Sequence, residues 1–145
     1  MPAERIVVTA AVIERDDRFL VTRRLKGTPL EGYWEFPGGK CDPGESHEDC
    51  LKRELLEELG APSRVGAEVF STAHDYPDRT VELHFFTCEL LDDSRPLIGQ
   101  EMRWVRRADL DTLSFPPADA ELLHILQRQP QSNSLRRLPY RRNEK

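Results

Sequence analysis

No stretch of this chain approaches the roughly 20 consecutive apolar residues that span a bilayer, and its N-terminus has no apolar core of the signal-peptide kind. Both absences read as a cytoplasmic protein without membrane contact. Cysteine is scarce: Cys41, Cys50 and Cys88 are odd in number and have no C-x-x-C spacing. That disfavours a disulfide framework and a structural zinc site, and the three read as reduced packing residues. Basic charge is in deficit, with 21 Lys and Arg against 26 Asp and Glu, so stable nucleic-acid binding is not expected. A phosphate-binding P-loop is excluded as well, because Gly38-Gly39-Lys40-Cys41 lacks the upstream glycine and the following Ser or Thr. No internal repeat is visible, and 145 residues suffice for one compact domain with its own core.

What the chain does have is carboxylate, concentrated in residues 39–61, GKCDPGESHEDCLKRELLEELGA. If residues 46–59 form a helix, Glu54, Glu57 and Glu58 fall inside an arc of roughly 100°. Like charges at that spacing repel by a few tenths of a kcal/mol per pair. Hard divalent cations with oxygen ligands, Mg²⁺ or Mn²⁺, would relieve them. Leu51, Leu55 and Leu59 lie beside this arc, which puts the carboxylates at the rim of a buried face. Taken alone, such a run is more often a solvated surface helix. Its context is more specific: Gly38, Gly39 and Gly44 flank a Pro43 turn that delivers Glu45 to the helix start, where Ser46 and Asp49 make a capping pair.

Around this helix, residues 5–13 and 19–25 read as a hairpin turning at Asp16-Asp17, and residues 28–32 as a loop. Residues 33–36 lead into the glycine turn. Residues 65–74 and 80–91 read as a second strand pair joined through Tyr76-Pro77-Asp78, with Val81, Leu83 and Phe85 on one face. Residues 102–106 read as a short strand and 118–129 as a helix whose apolar side packs on the sheet. Residues 130–145, polar and arginine-rich, read as a mobile tail. Pattern alone says α+β or α/β.

The order Gly39, five residues, Glu45, seven residues, then Arg53-Glu54-Leu55-Leu56-Glu57-Glu58-Leu59-Gly60-Ala61 resembles the Nudix box, Gly-x5-Glu-x7-Arg-Glu-U-x-Glu-Glu-x-Gly-U with U bulky and aliphatic. Its one departure is the small Ala61 at the terminal position, which bears on local packing. The resemblance implies an α/β/α sandwich around a mixed β-sheet over residues 1–129, and metal-dependent hydrolysis of a nucleoside diphosphate linked to another group. It implies Mg²⁺ (or Mn²⁺) held by Glu54, Glu57, Glu58 and the Gly39 carbonyl. Glu54 is then the first choice for general base, with Glu101 as rival base or extra ligand, and Arg53 orients Glu57 across one helical turn.

Three further segments, Trp34 to Lys40, Tyr76-Pro77-Asp78-Arg79 and Phe115-Pro116-Pro117-Ala118-Asp119, are similar to the MutT branch, whose members remove oxidised or otherwise modified nucleoside triphosphates. Carried over, Arg23 and Lys40 are candidates for phosphate, Arg79 for the nucleotide, and Phe36 and Asp119 for the substrate pocket. For each, a bland role competes: surface charge for the cations, core for Phe36, and a helix start for Asp119. Asp119 is the consequential departure, since the pattern for 8-oxoguanine carries Asn. An ionised carboxylate cannot donate; it suits a base edge offering donors, such as the cytosine amino group, whereas a protonated Asp119 would imitate Asn. Cytidine triphosphate pyrophosphohydrolases resemble the chain in their Pro-Ala-Asp segment. The expected partner is therefore a small nucleotide, cleaved to monophosphate and pyrophosphate, with the preferred base and oligomeric state open. The alternatives are cleavage of a nucleotide sugar or dinucleotide polyphosphate, and a Nudix-fold binding module without catalysis, against which the full set of glutamates speaks.

Overall fold

The computed structural model describes residues 4–129; the tail expected over 130–145 lies outside the described residues. The first hairpin joins β1 (Glu4–Arg15) to β2 (Arg18–Arg23), and its two turn residues, Asp16 and Asp17, have φ of 53° and 62°. Asp is among the few non-glycine residues that tolerate that left-handed backbone, which matches the twist of a two-residue hairpin. β1 is the central strand. It runs parallel to β6 (Arg79–Leu90) from Glu4↔Arg79 to Ile13↔Cys88, and antiparallel to β4 (Gly38–Lys40) from Val8↔Lys40 to Ala10↔Gly38. Only its last residues pair with β2. β2 in turn carries β3 (Trp34–Glu35) and β7 (Met102–Arg106), both antiparallel, while β5 (Ser63–Tyr76) closes the far edge against β6.

Both faces of this mixed sheet are covered, which is why β1 reads as a near-continuous apolar run, interrupted by the buried Thr9, rather than an alternation. Ala10 and Val12, with Phe19 and Val21 of β2, face the helix α2 (Ala120–Arg128) through Leu122 and Leu126. Ala11, Ile13 and Leu20 face the helix α1 (His47–Leu59) through Leu51, Leu55 and Leu59. The result is the α/β/α sandwich expected from the sequence. Each fully buried leucine contributes about 1.5–3 kcal/mol relative to exposure, so three of them hold α1 in one rotational setting and aim its glutamates along the rim.

The ends of α1 are equally determined. The Ser46 hydroxyl accepts from the Asp49 N–H at 3.0 Å, and Gly60 takes a left-handed φ of 68° at the C-terminus. The last carbonyls, of Glu58 and Leu59, accept from Leu97 N, Gln100 Nε2 and Arg95 N at 2.8–3.0 Å. Thus the loop that carries Glu101 is tied to the end of the glutamate helix. Two details differ from the sequence reading. The expected glycine turn is strand β4, its backbone paired with β1, and the last helix starts only at Ala120, after a 3₁₀ turn at Pro117–Asp119. Among the described residues no helix is long and apolar enough to cross a membrane.

Candidate active site

The site is built where β4 runs between β1 and α1. A Cβ on Gly38 would lie 2.0 Å from the Thr9 carbonyl oxygen, and one on Gly39 would lie 2.2 Å from Oε1 of Glu54. The two glycines therefore let a strand and a carboxylate approach the same short segment from opposite sides. Glu54 rests directly on the Gly39 backbone, although fifteen positions separate them in the chain.

Glu58, one turn further along α1, lies near enough to Glu54 and to the Gly38 backbone for both to act on its acid. Burial, together with the neighbouring Glu54 and the charge of Glu35, holds the Glu58 acid far above the ordinary carboxylate range. Two acids close enough to share a proton, in a donor set made only of oxygen, fit a hard divalent cation. Glu54, Glu58 and the Gly39 carbonyl are the groups that would hold it.

Glu57 does not join that pair. Its side chain is 59% exposed and meets Arg53 at 3.4 Å; among the described residues, no three His, Cys, Asp or Glu side chains form a ready-made ligand group. Of the three glutamates expected to converge, Glu54 and Glu58 come together while Glu57, on the same helix face, is drawn outward by Arg53. Arg53 has a different principal partner from the one expected. Its Nε and Nη2 grip the two oxygens of Glu45 at 2.7 and 2.9 Å, Nη1 reaches Glu54 at 2.8 Å, and Nη2 also bonds the Lys40 carbonyl at 3.1 Å. That bidentate grip, helped by the Asp42 N–H, pulls the Glu45 acid down to about 2.

A second cluster lies at the edge of β2, β3 and β7. Glu101 pairs with Arg23 at 3.4 Å and Arg103 at 3.0 Å, and both guanidiniums lie over the ring of Trp34. Both oxygens of Glu101 thus have cationic partners, whereas those of Glu54 face Arg53 and Glu58. Lys40 is exposed. Arg79 sits at the β5–β6 turn against the Tyr76 ring and is not brought into either cluster by any described contact. Phe36 is 3% exposed, stacked on Phe115 at 5.5 Å and edge-on to Phe85 at 6.1 Å. It is a core residue that can shape a pocket wall but offers no open face.

Asp119 is 7% exposed and makes no side-chain cap bond to α2. The helix-cap role weighed from the sequence is absent because its backbone is already helical, with φ −90° and ψ −5°, which turns the side chain away from the cap position. Burial first, and then the charge of Glu35, push its acid up to about 7. Glu35 is the residue that the sequence reading passed over. Burial raises its own acid against the opposing pull of Arg24, and its charge reaches both Glu58 and Asp119. It lies inside the Trp34 to Lys40 run, and the signal available was a charged residue between two aromatics in a short strand. The bond from Trp34 N to the Ser114 carbonyl, 2.8 Å, straps the Asp119 segment to β3. A cavity of about 600 Å³ near the ends of β1 and β6, lined by Phe19, Val65 and Leu126, takes no part in this arrangement.

Comparison with known proteins agrees with this geometry. The chain is 38% identical over 127 residues to an 8-oxo-dGTP diphosphatase of Haemophilus influenzae, covering 85% of this chain and 93% of that one. It is 44% identical over 79 residues to a CTP pyrophosphohydrolase of Escherichia coli, covering 54% and 58%. The solution structure of the E. coli ORF135 protein superposes with a TM-score of 0.73 at 30% identity, over 97% of this chain and 96% of that one. The model of the NUDIX domain matches residues 8–124, and with Glu54 seated on Gly39 and tied through Arg53 to Glu45 the chain belongs to that family, as one of its hydrolases.

Proposed function

We propose that the chain hydrolyses modified or oxidised nucleoside triphosphates to the monophosphate and pyrophosphate, acting in the cytoplasm on free nucleotides. The observation that carries this reading is the seating of Glu54 against Gly39 beside Glu58, with the charge of Glu35 acting on both Glu58 and the buried acid of Asp119. The similarity to an 8-oxo-dGTP diphosphatase and a CTP pyrophosphohydrolase supports the same substrate class.

A nucleoside triphosphate brings several negative charges into a site that already carries carboxylates. Mg²⁺, or Mn²⁺ in its place, would be held by Glu54, Glu58 and the Gly39 carbonyl and would supply charge neutralisation and Lewis acidity for the displacement. Glu57, exposed on the same helix face, can swing in as a further ligand. Glu54 accepts the proton of the attacking water, since it sits against the Gly39 backbone with Arg53 orienting its second oxygen. Glu101 is the weaker candidate, being paired with two guanidiniums. Arg23 and Lys40 meet the phosphates. Arg79 would need the β5–β6 turn to move toward the nucleotide.

Asp119 favours a second base class. With its acid near neutrality it donates to oxidised guanine when protonated, and accepts from amino-bearing edges such as that of cytosine when ionised. The test is a panel of normal and oxidised triphosphates with Mg²⁺, scored separately for pyrophosphate and orthophosphate. Pyrophosphate from one or both base classes is expected. Orthophosphate alone, or turnover of nucleotide sugars in preference to every triphosphate, would overturn the reading.

A further inference from the structure

Antiparallel pairing sets Arg103 of β7 opposite Val21 of β2, and Arg23 of β2 opposite Trp34 of β3. Directly opposed residues, and residues two apart on one strand, share a face of the sheet, so Arg23, Trp34 and Arg103 stand together. Trp34 is the fixed member, buried and bonded from its backbone N–H to the Ser114 carbonyl at 2.8 Å. The Arg103 guanidinium lies 4.6 Å from its ring centroid and that of Arg23 lies 5.8 Å away. Such stacking holds both cations in place without using their donors. Both pair with Glu101, and all three charged side chains are about half exposed. Two cations sharing one carboxylate leave the cluster with a net positive charge.

The guanidinium donors are also left over here. Arg53 and Arg107 have theirs engaged by carboxylates and carbonyls. Arg23 donates from Nε to the Gly32 carbonyl at 3.0 Å and reaches Glu101 only at 3.4 Å. Arg103 donates from Nη2 to Glu101 at 3.0 Å, and among the described residues its Nε and Nη1 bond no other group. The cluster also borders the carboxylate helix: Glu101 follows Gln100, whose side chain donates to the Glu58 carbonyl at 3.0 Å.

We propose that Arg103 is a further phosphate-binding residue, that it clamps the terminal phosphates of the substrate jointly with Arg23, and that this tail takes the place of Glu101 between the two guanidiniums. The inference rests on the triphosphate reading above. A half-exposed ion pair contributes little net stability, so the Glu101 carboxylate is readily exchanged. The phosphate tail brings more charge, and its oxygens match the guanidinium fork. Binding of the tail therefore sets the Glu101 carboxylate free, with no covalent bond made or broken.

Calorimetric titration of the full chain with inorganic tripolyphosphate in EDTA tests the clamp without a base and without turnover, so failure of this inference and failure of the substrate assignment are distinguishable. Arg103→Met keeps an apolar stem on Trp34 and should bind the probe about fivefold or more weakly, through loss of charge-assisted hydrogen bonds. Arg106→Met removes the same charge from the other face of β7 and should stay within about twofold of wild type at physiological ionic strength, where distant charges are screened. Glu101→Gln removes the competing carboxylate and should bind the probe more tightly than wild type. In turnover with Mg²⁺, Arg103→Met should raise KM for the triphosphate by a similar factor and keep kcat within about twofold, the pattern of lost uniform binding. Circular dichroism checks each fold, and Arg103→Gln serves if methionine perturbs it. Equal affinity for the probe in wild type and folded Arg103→Met, none in either included, overturns the proposal. So does an equal loss in Arg106→Met, a fall in kcat at unchanged KM, or binding by folded Glu101→Gln that is no tighter than wild type.

Discussion

Arg53 and Glu45 form a two-point bridge between the turn that follows β4 and the middle of α1, with Nε···Oε2 at 2.7 Å and Nη2···Oε1 at 2.9 Å. The same guanidinium bonds the Lys40 carbonyl and Glu54, so one side chain fixes the loop, the strand end and Glu54 together. Lys cannot reproduce that fork, since its ammonium is a single point charge. Arg53→Lys should lower kcat/KM about 10–100-fold, the range for groups that orient metal ligands, while the circular dichroism spectrum is kept. A rate within twofold of wild type would show that the bridge is not needed for Glu54.

The Glu54–Glu58 pair leads to an opposite pattern of stability and activity. An acid whose folded value is raised contributes stability that is present below its unfolded value and is lost as pH rises. Burial and Glu54 raise Glu58 in this way, so without metal it weakens the fold at neutral pH. Glu58→Gln keeps the shape and removes the charge. Melting curves in EDTA should show Glu58→Gln at or above wild type near pH 8, with the gap closing toward pH 4, and turnover should fall on the order of 10²-fold, as when one electrostatic contributor is removed. Wild-type turnover at limiting Mg²⁺ would remove Glu58 from the metal assignment.

Arg107 supplies a control of the opposite kind. It is 8% exposed in its side chain and bonds Glu14 at 2.5 Å, Asp17 at 2.8 Å and the Leu126 carbonyl at 2.7 Å, with its guanidinium 4.9 Å from the Phe19 ring centroid. It joins the first hairpin to the end of α2, far along the chain from the box. Removing the cation leaves two partly buried carboxylates without it, so Arg107→Met should destabilise by roughly 3–5 kcal/mol while kcat of the folded fraction is unchanged. Urea denaturation beside active-site titration separates the two. A selective loss of kcat would place Arg107 in catalysis.

The box was legible in the sequence because it is local: Ser46, the leucine spacing and Gly60 each act within one helix, and all three are realised in α1. The first hairpin was legible for the same reason, through Asp16 and Asp17. What escaped depends on contacts between distant segments. Arg107 looks like any surface cation until Glu14 and Asp17, about ninety positions earlier, are brought against it. Glu35 acquires its importance only when β3 is strapped to the segment before α2. The Gly38-Gly39 segment read as a turn because glycine marks turns, yet here it is strand, and the missing side chains serve close approach by Thr9 and Glu54. The convergence expected of Glu54, Glu57 and Glu58 followed helix geometry correctly, but Arg53 and burial decide where the carboxylates point.

In the proposed function, the ionisation of Asp119 sets the choice of substrate. Burial and then Glu35 raise its acid to about 7, so near neutrality the protonated donor and the ionised acceptor coexist. Acidification fills the donor form and should favour 8-oxo-dGTP, while alkalinity empties it and should favour CTP or dCTP. Asp119→Asn presents a fixed amide, both donor and acceptor, and should abolish the pH dependence of the preference and move it toward oxidised guanine by roughly 1–3 kcal/mol, typical of a directional base contact. The stability sign is independent of substrate: a raised folded value means stability lost between the unfolded value and about 7, so Asp119→Asn should melt at or above wild type in alkaline buffer and lose that advantage in acid. Measuring kcat/KM for both bases at about one pH unit either side of neutrality, with melting curves for each protein, checks both halves. A wild-type preference that does not move with pH, and does not change on substitution, would take Asp119 out of the base pocket.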